Sequence, residues 1–241
     1  MQNFVNEPFL KKRANYARWG SYVGFGSLFI GLITTGKSPL LAYIFLLIGL
    51  FGATLGSYFA NRYVREPRAD QVLAEVLEGL DKRYALYNYY LPSNHVIASH
   101  YGLTVIEPKP QGGEIIYENG RWRHKAGMRK FLQLFGEPSL GKPDQDVERE
   151  AQWVKEWIDE LMPEDDVPVH GVVVFTDPDV VLHASGGTVP VLKAEELPRY
   201  MKEGLKGRRI LTTAKQKELR KLLDEVMAEA NRKEKGKKKG D

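Results

Sequence analysis

The chain has 241 residues, with 35 lysines and arginines against 31 aspartates and glutamates, and it has no cysteine. That length holds one ordinary globular domain and an extra module. The missing thiol excludes disulfides, thiolate zinc sites and cysteine nucleophiles, and the scattered histidines show no HExxH-type spacing for a zinc site.

Charge is unevenly spread. From Trp19 to Ala60 the only formal charge is Lys37. Two apolar stretches, Trp19–Thr35 and Leu40–Ala60, flank the turn Gly36-Lys37-Ser38-Pro39. Helices of about 17–25 residues cross a hydrocarbon core about 30 Å thick, so both stretches are long enough to span it. Gly24, Gly26, Gly31, Gly49, Gly52 and Gly56 are expected to line a close-packed seam. A signal peptide fits poorly, because no small-x-small cleavage site follows and a second apolar run does. A buried hairpin of a soluble protein is the other alternative. Lys11, Lys12, Arg13 and Arg18 precede the first span, and Arg62, Arg65 and Arg68 follow the second. Positive flanks stay inside, so both termini and the soluble part are expected to be cytoplasmic. In a bacterial chain this is a multi-pass plasma-membrane protein whose first partner is the lipid bilayer. Trp19, Tyr22, Tyr58 and Tyr63 stand where interfacial aromatics are expected.

The resulting division is a basic N-terminal segment (1–18), a helical hairpin (19–60), a basic linker (61–68), an α/β domain (69–204), a C-terminal helix (205–230) and a lysine-rich tail (231–241) expected to be disordered. Within the domain, Asp70–Leu80 has helical spacing and the tyrosine-rich Arg83–Leu91 reads as a strand. His95–Ser99 and Leu103–Glu107 follow as a strand pair around Gly102. Glu114–Tyr117 and Arg121–His124 form a hairpin around Asn119-Gly120, a strong turn signal. Asp144 is placed to cap a helix running to about Leu161. Gly171–Thr176 is an apolar run suited to a buried strand, and Val189–Leu192 is a short strand. Ala194–Gly204 and Thr212–Ala230 read as helices.

The stretch that can carry chemistry is Ser93-Asn94-His95 through Glu107-Pro108-Lys109. Period-two alternation puts Glu107 and Lys109 on one face of a strand. The antiparallel partner brings Asn94 beside them. A carboxylate that holds a divalent cation, next to a lysine that steadies a water or a phosphate, suits phosphodiester cleavage. The same two residues would also make an ordinary surface ion pair. Pro108 between them is unusual, since proline donates no ladder hydrogen bond; either the strand stops at Glu107 or the site geometry is altered. The C-terminal excess of cations, including Lys206, Arg208, Arg209, Lys237, Lys238 and Lys239, would suit nucleic-acid phosphates or an anionic leaflet.

These motifs resemble the nuclease-related domain (NERD) family, a branch of the PD-(D/E)xK nucleases. The resemblance rests on Ala69-Asp70, Ser93-Asn94-His95, Gly102, Thr104-Val105-Ile106-Glu107-Pro108-Lys109, Trp122, Lys142-Pro143-Asp144-Gln145-Asp146 and Val172-Val173-Val174-Phe175, in family order. It implies a restriction-endonuclease-like α/β core with a mixed central sheet flanked by helices. By position it implies catalytic roles for Asn94, Glu107 and Lys109. It also implies Mg²⁺ or Mn²⁺ held by Glu107, with Asp70 or Glu75. DNA or RNA would be the partner, and Lys142, Arg208 and Arg209 are the candidate phosphate contacts. Asn94 stands where the family has an aspartate, and losing an anionic ligand weakens Mg²⁺ binding. Two functions follow: a membrane-tethered metal-dependent nuclease, or a nuclease fold that has lost cleavage and holds nucleic acid or a protein at the membrane.

Overall fold

The computed structural model describes residues 1–125 and 139–237. Two units emerge from it. Among the described residues, one holds Glu7–Arg68; the other holds Met1–Asn6, 69–125 and 140–237.

In the first unit, helices α1 (Glu7–Thr34) and α2 (Pro39–Tyr63) pack antiparallel. Small residues set the spacing. A Cβ on Gly24 would lie 2.4 Å from the Ala53 nitrogen, and one on Gly56 would lie 2.6 Å from the Ser21 nitrogen. The expected seam therefore forms, except at Gly26, where a Cβ would meet nothing within 4 Å. Outside the seam, Phe25, Phe29, Leu32, Leu47 and Phe51 are exposed. Among the described residues one helix, Pro39–Tyr63, is long and apolar enough to cross a membrane. Helix α1 begins twelve residues before Trp19, with Glu7, Lys11, Lys12, Arg13 and Arg18 in its opening turns. Arg13 is enclosed there by aromatic rings, its guanidinium carbon 4.8 Å from the Phe9 centroid and 5.5 Å from that of Phe59.

The second unit is built on a six-stranded mixed sheet. Its strands are β1 (Gln2–Val5), β2 (Ala85–Asn88), β3 (His95–Ser99), β4 (Gly102–Lys109), β7 (Val169–Phe175) and β9 (Val191–Lys193), in that spatial order. β1 runs parallel to β2; β2, β3 and β4 are antiparallel in turn; β4, β7 and β9 are parallel. A smaller sheet orders β6 (Arg121–Lys125), β5 (Glu114–Glu118) and β8 (Val181–Ser185). The expected mixed sheet flanked by helices is thus present.

Alternation divides the core. Val96, Ala98, Val105, Val173 and Phe175 point to one face, packed by Val147, Val154 and Ile158 of α4 (Pro143–Leu161) and by Leu219 and Leu223 of α5 (Thr213–Lys237). Leu86, Ile97, Ile106, Val172 and Val174 point to the other, packed by Leu73 and Leu77 of α3 (Ala69–Leu77) and by Leu197 and Met201.

Several expectations change. Gln2–Val5, expected within a basic segment, forms an edge strand because its backbone pairs with β2, with Gln2 opposite Ala85. β4 does not stop at Glu107: Pro108 is in register with Val174 and Lys109 with Phe175. Leu103 N–H donates to the Pro168 carbonyl on the β7 side. Alternation then turns the Pro108 nitrogen to the β3 side, beyond the last β3 pairing at Val105, where no donor is needed. Ala194–Gly204 is three short helical pieces rather than one helix. Helix α5 passes Ala230 and runs to Lys237, so the start of the expected tail is helical; Lys238 and Lys239 lie outside the described residues.

Candidate active site

One end of the large sheet gathers the polar residues. There β1, β2, β4 and β7 finish and β3 begins. The hairpin register pairs Val96 with Val105; continued by two residues, it sets Asn94 across from Glu107. Glu107 and Lys109 share the parity of Val105, so both face α4.

The lysine ammonium takes up the carboxylates around it. Lys109 Nζ lies 2.7 Å from Glu107 Oε1 and 3.6 Å from Asp146 Oδ2. Arg149 binds the other side of Asp146, at 2.7 Å from Oδ1. Asp146 is therefore a direct neighbour of the pair. Ser93 Oγ donates to Glu150 Oε2 at 2.6 Å, one turn further along α4.

Asp144 does not cap α4. Lys142 takes the cap position and Asp144 lies inside the first turn, buried. Its carboxylate accepts from Trp122 Nε1 at 2.8 Å and from the Tyr117 hydroxyl at 3.3 Å. Those two rings stack at 4.2 Å. Burial, then the Asp144 charge, pushes the Tyr117 phenol above its ordinary pKa.

Asp70 is buried on the α3 side, where it accepts from the Tyr89 hydroxyl at 3.1 Å. Glu75 is exposed, turned away from the Leu73–Leu77 stripe. Among the described residues, no three His, Cys, Asp or Glu side chains are placed to hold one metal ion. Lys142 is exposed at the start of α4, close in sequence to Asp146. Arg208 and Arg209 lie at the far end of the sheet. Arg208 contacts His170, which is in register with Thr104 near the start of β4, and Arg209 pairs with Asp166. The three candidate phosphate contacts are thus split between two ends.

A buried polar network escaped sequence reasoning. Asn88 Nδ2 donates to Asn3 Oδ1 at 2.9 Å, His95 Nδ1 lies 2.8 Å from Asn88 Oδ1, and Asn6 Nδ2 donates to the Tyr89 carbonyl at 3.1 Å. The adjacent polar residues at the ends of β2 and β3 were its only signal.

A strand hairpin that ends in a Glu-x-Lys face is the arrangement the motifs led us to expect; the long helix laid over that face is what the structure adds. The nuclease-related domain family, NERD, matches residues 63–176. Neither a curated protein nor a solved structure matches the chain. The nuclease-related domain so placed spans β2 to β7, including Asn94, Glu107, Lys109 and Asp146, and it points to a nuclease-like function. Nuclease-related domains generally depend on a metal, and the donor set here does not fit one. Mg²⁺ and Mn²⁺ want several oxygen ligands with net negative charge. Here two carboxylates already face two cations, and the position across from Glu107 is a neutral amide.

Proposed function

We propose that the chain is a membrane-tethered nuclease-fold module that holds nucleic acid without cutting it. The observation that carries this reading is the placing of the Lys109 ammonium between Glu107 and Asp146, where a cleaving site would present free carboxylate oxygens. Electrostatics around the site support it. Helix α4 carries seven carboxylates and two cations, so a phosphate backbone has little attraction to that helix. Phosphate contacts would instead come from Lys142 and from the basic C-terminal residues. Binding of that kind releases counterions and weakens steeply with salt.

The tether reading rests on α2 and on the sheet. Helix α2 is long and apolar enough to span, and the large side chains outside the glycine seam are exposed. β1 precedes the hairpin and β2 follows it, yet the two strands pair. That pairing supports a topology in which both ends of the hairpin share a compartment, with an even number of crossings. The positive flanks favour the cytoplasmic side.

The test uses the full chain in detergent or nanodiscs with labelled single- and double-stranded DNA and RNA, with and without Mg²⁺ or Mn²⁺. The expected result is salt-sensitive binding that needs no metal, and no cleavage. Cleavage that Glu107→Ala abolishes would overturn the reading in favour of an active nuclease, which the matched Glu107–Lys109 pair itself favours. The tether is tested separately. Because the chain has no cysteine, single cysteines at Gln2 and Ser38 can be labelled in intact cells. Labelling of Ser38→Cys alone is expected; equal labelling of both would remove the hairpin topology.

A further inference from the structure

Arg13 is a half-buried cation with no counter-ion among the described residues. Its guanidinium carbon lies 4.8–5.9 Å from the centroids of four rings, Phe9 and Tyr16 on α1 and Phe59 and Tyr63 on α2. Those rings brace one another: Phe9 meets Tyr63 at 5.7 Å, Tyr16 meets Phe59 at 5.6 Å, and Phe59 stacks on Tyr63 at 6.1 Å. The cage holds the guanidinium in place, and the rings offset part of its charge. They offer no oxygen to its N–H donors, which need acceptors when drawn out of water.

Lys12 brings a second charge to the same place. Its ammonium lies 6.0 Å from the Tyr16 centroid, and the Arg13 guanidinium lies 5.9 Å from it, so two cations meet on one exposed ring. The carboxylates nearest in sequence do not balance them. Glu66 lies 3.8 Å from Arg68, and Glu7 makes no ion pair among the described residues. The aromatics set the level along the helix. Trp19 and Tyr22, both exposed, follow on α1, with Trp19 about 9 Å of helix beyond Arg13. Tryptophan and tyrosine settle at the headgroup level, and long cationic side chains reach into a headgroup layer about 5–7 Å thick.

We propose that Arg13 and Lys12 form a binding site for the phosphate of an anionic phospholipid. A guanidinium suits that group because two of its N–H donors match two phosphate oxygens, and one already held in a cage loses little freedom on binding. With no carboxylate beside them, the two cations offer nothing to the ammonium of a zwitterionic headgroup, so a headgroup of net negative charge is preferred. The acyl chains lie along the exposed apolar side chains that begin beyond Trp19. The site rests on the tether reading above, lies wholly within Glu7–Arg68 and uses no residue of the Glu107 centre.

The experiment titrates the full chain in a non-ionic detergent with phosphatidylglycerol, with diacylglycerol of the same acyl chains and with inorganic phosphate, read by native mass spectrometry and thermal shift. Phosphatidylglycerol is expected to bind and to raise the melting temperature, with the other two far weaker. Arg13→Gln should weaken that binding by about tenfold, and Arg13→Lys, which keeps a charge on the rings, should lose less. Arg65→Gln makes the same change of charge at an exposed residue outside the cage and should leave binding nearly unchanged. Equal binding of diacylglycerol or inorganic phosphate would overturn the site, and so would equal losses in Arg13→Gln and Arg65→Gln. An Arg13→Gln chain that keeps its lipid and loses nucleic acid instead would also overturn it. Incorporation into nanodiscs of neutral lipid, read by co-elution, reports the tether by itself. A chain that incorporates yet takes up no phosphatidylglycerol overturns this site alone, and one that fails to incorporate overturns both.

Discussion

Lys109 and Glu107 leave the same face of β4 two residues apart and meet at 2.7 Å, with side chains only 12% and 7% exposed. At that depth the pair behaves as a unit. Its members satisfy each other, and removing one strands the other.

Lys109→Met should therefore destabilise the domain by about 3–5 kcal/mol, the usual cost of leaving one partner of a buried ion pair uncompensated. Glu107→Gln combined with Lys109→Met should recover much of that loss. Chemical denaturation of the single and double variants reads the difference, and equal losses in both would mean the pair is not coupled.

Asp144→Asn tests the clamp on the indole. The Trp122 N–H loses a charged acceptor, at about 1.5–3 kcal/mol for a hydrogen bond to a charged group. Tyr117, whose phenol is raised partly by Asp144, should then titrate at lower pH. Absorbance titration of the tyrosines, together with Trp122 emission, follows both effects.

In the hairpin, Gly24→Leu and Gly26→Leu should part company. The first drives a side chain into the Ala53 backbone and should separate α1 from α2; the second meets open space. Disulfide cross-linking between cysteines placed on the facing sides of α1 and α2 reports the spacing, and equal cross-linking in both variants would contradict the seam.

Acid should weaken the domain through His170. Its pKa is held below the ordinary 6.5 by burial first and then by the Arg208 charge. As pH falls below about 6.5 the unfolded chain gains a proton that the folded one refuses, so stability is lost towards the lower folded pKa. His100, also lowered chiefly by burial, adds in the same direction. His170→Gln keeps an acceptor for Arg208 and should flatten part of that slope in denaturation curves collected from about one pH unit above the ordinary histidine pKa to about 1.5 units below it.

Much of the fold could be read from local pattern. β3, the β5–β6 turn at Asn119-Gly120 and the apolar face of α4 are written in alternation, turn chemistry and helical spacing. What escaped was set by tertiary pairing. Gln2–Val5 is too short to announce a strand without β2 beside it, and Val181–Ser185 is mostly exposed and owes its form to β5. The site was half legible. Glu107 and Lys109 could be placed by period two, whereas the part played by Asp146 depends on how α4 lies over the sheet. How Asp70 would stand to Glu107 was not legible, because a helix N-terminus carries no mark of which sheet face it will cover. Trp153 is exposed while Trp157, one turn on, packs against the core.

The pairing of Gln2 with Ala85 also orders events during synthesis. The two residues are 83 positions apart, and at about 5–20 residues per second the ribosome takes roughly 4–17 s to make the second after the first. Both hairpin helices emerge in that interval. The first strand must wait, unpaired and solvated through Gln2 and Asn3, until the hairpin has been made and its partner arrives. Any delay in making or packing the hairpin is then a delay in closing the edge of the sheet, so a fault in the hairpin would surface as a folding fault in the α/β unit.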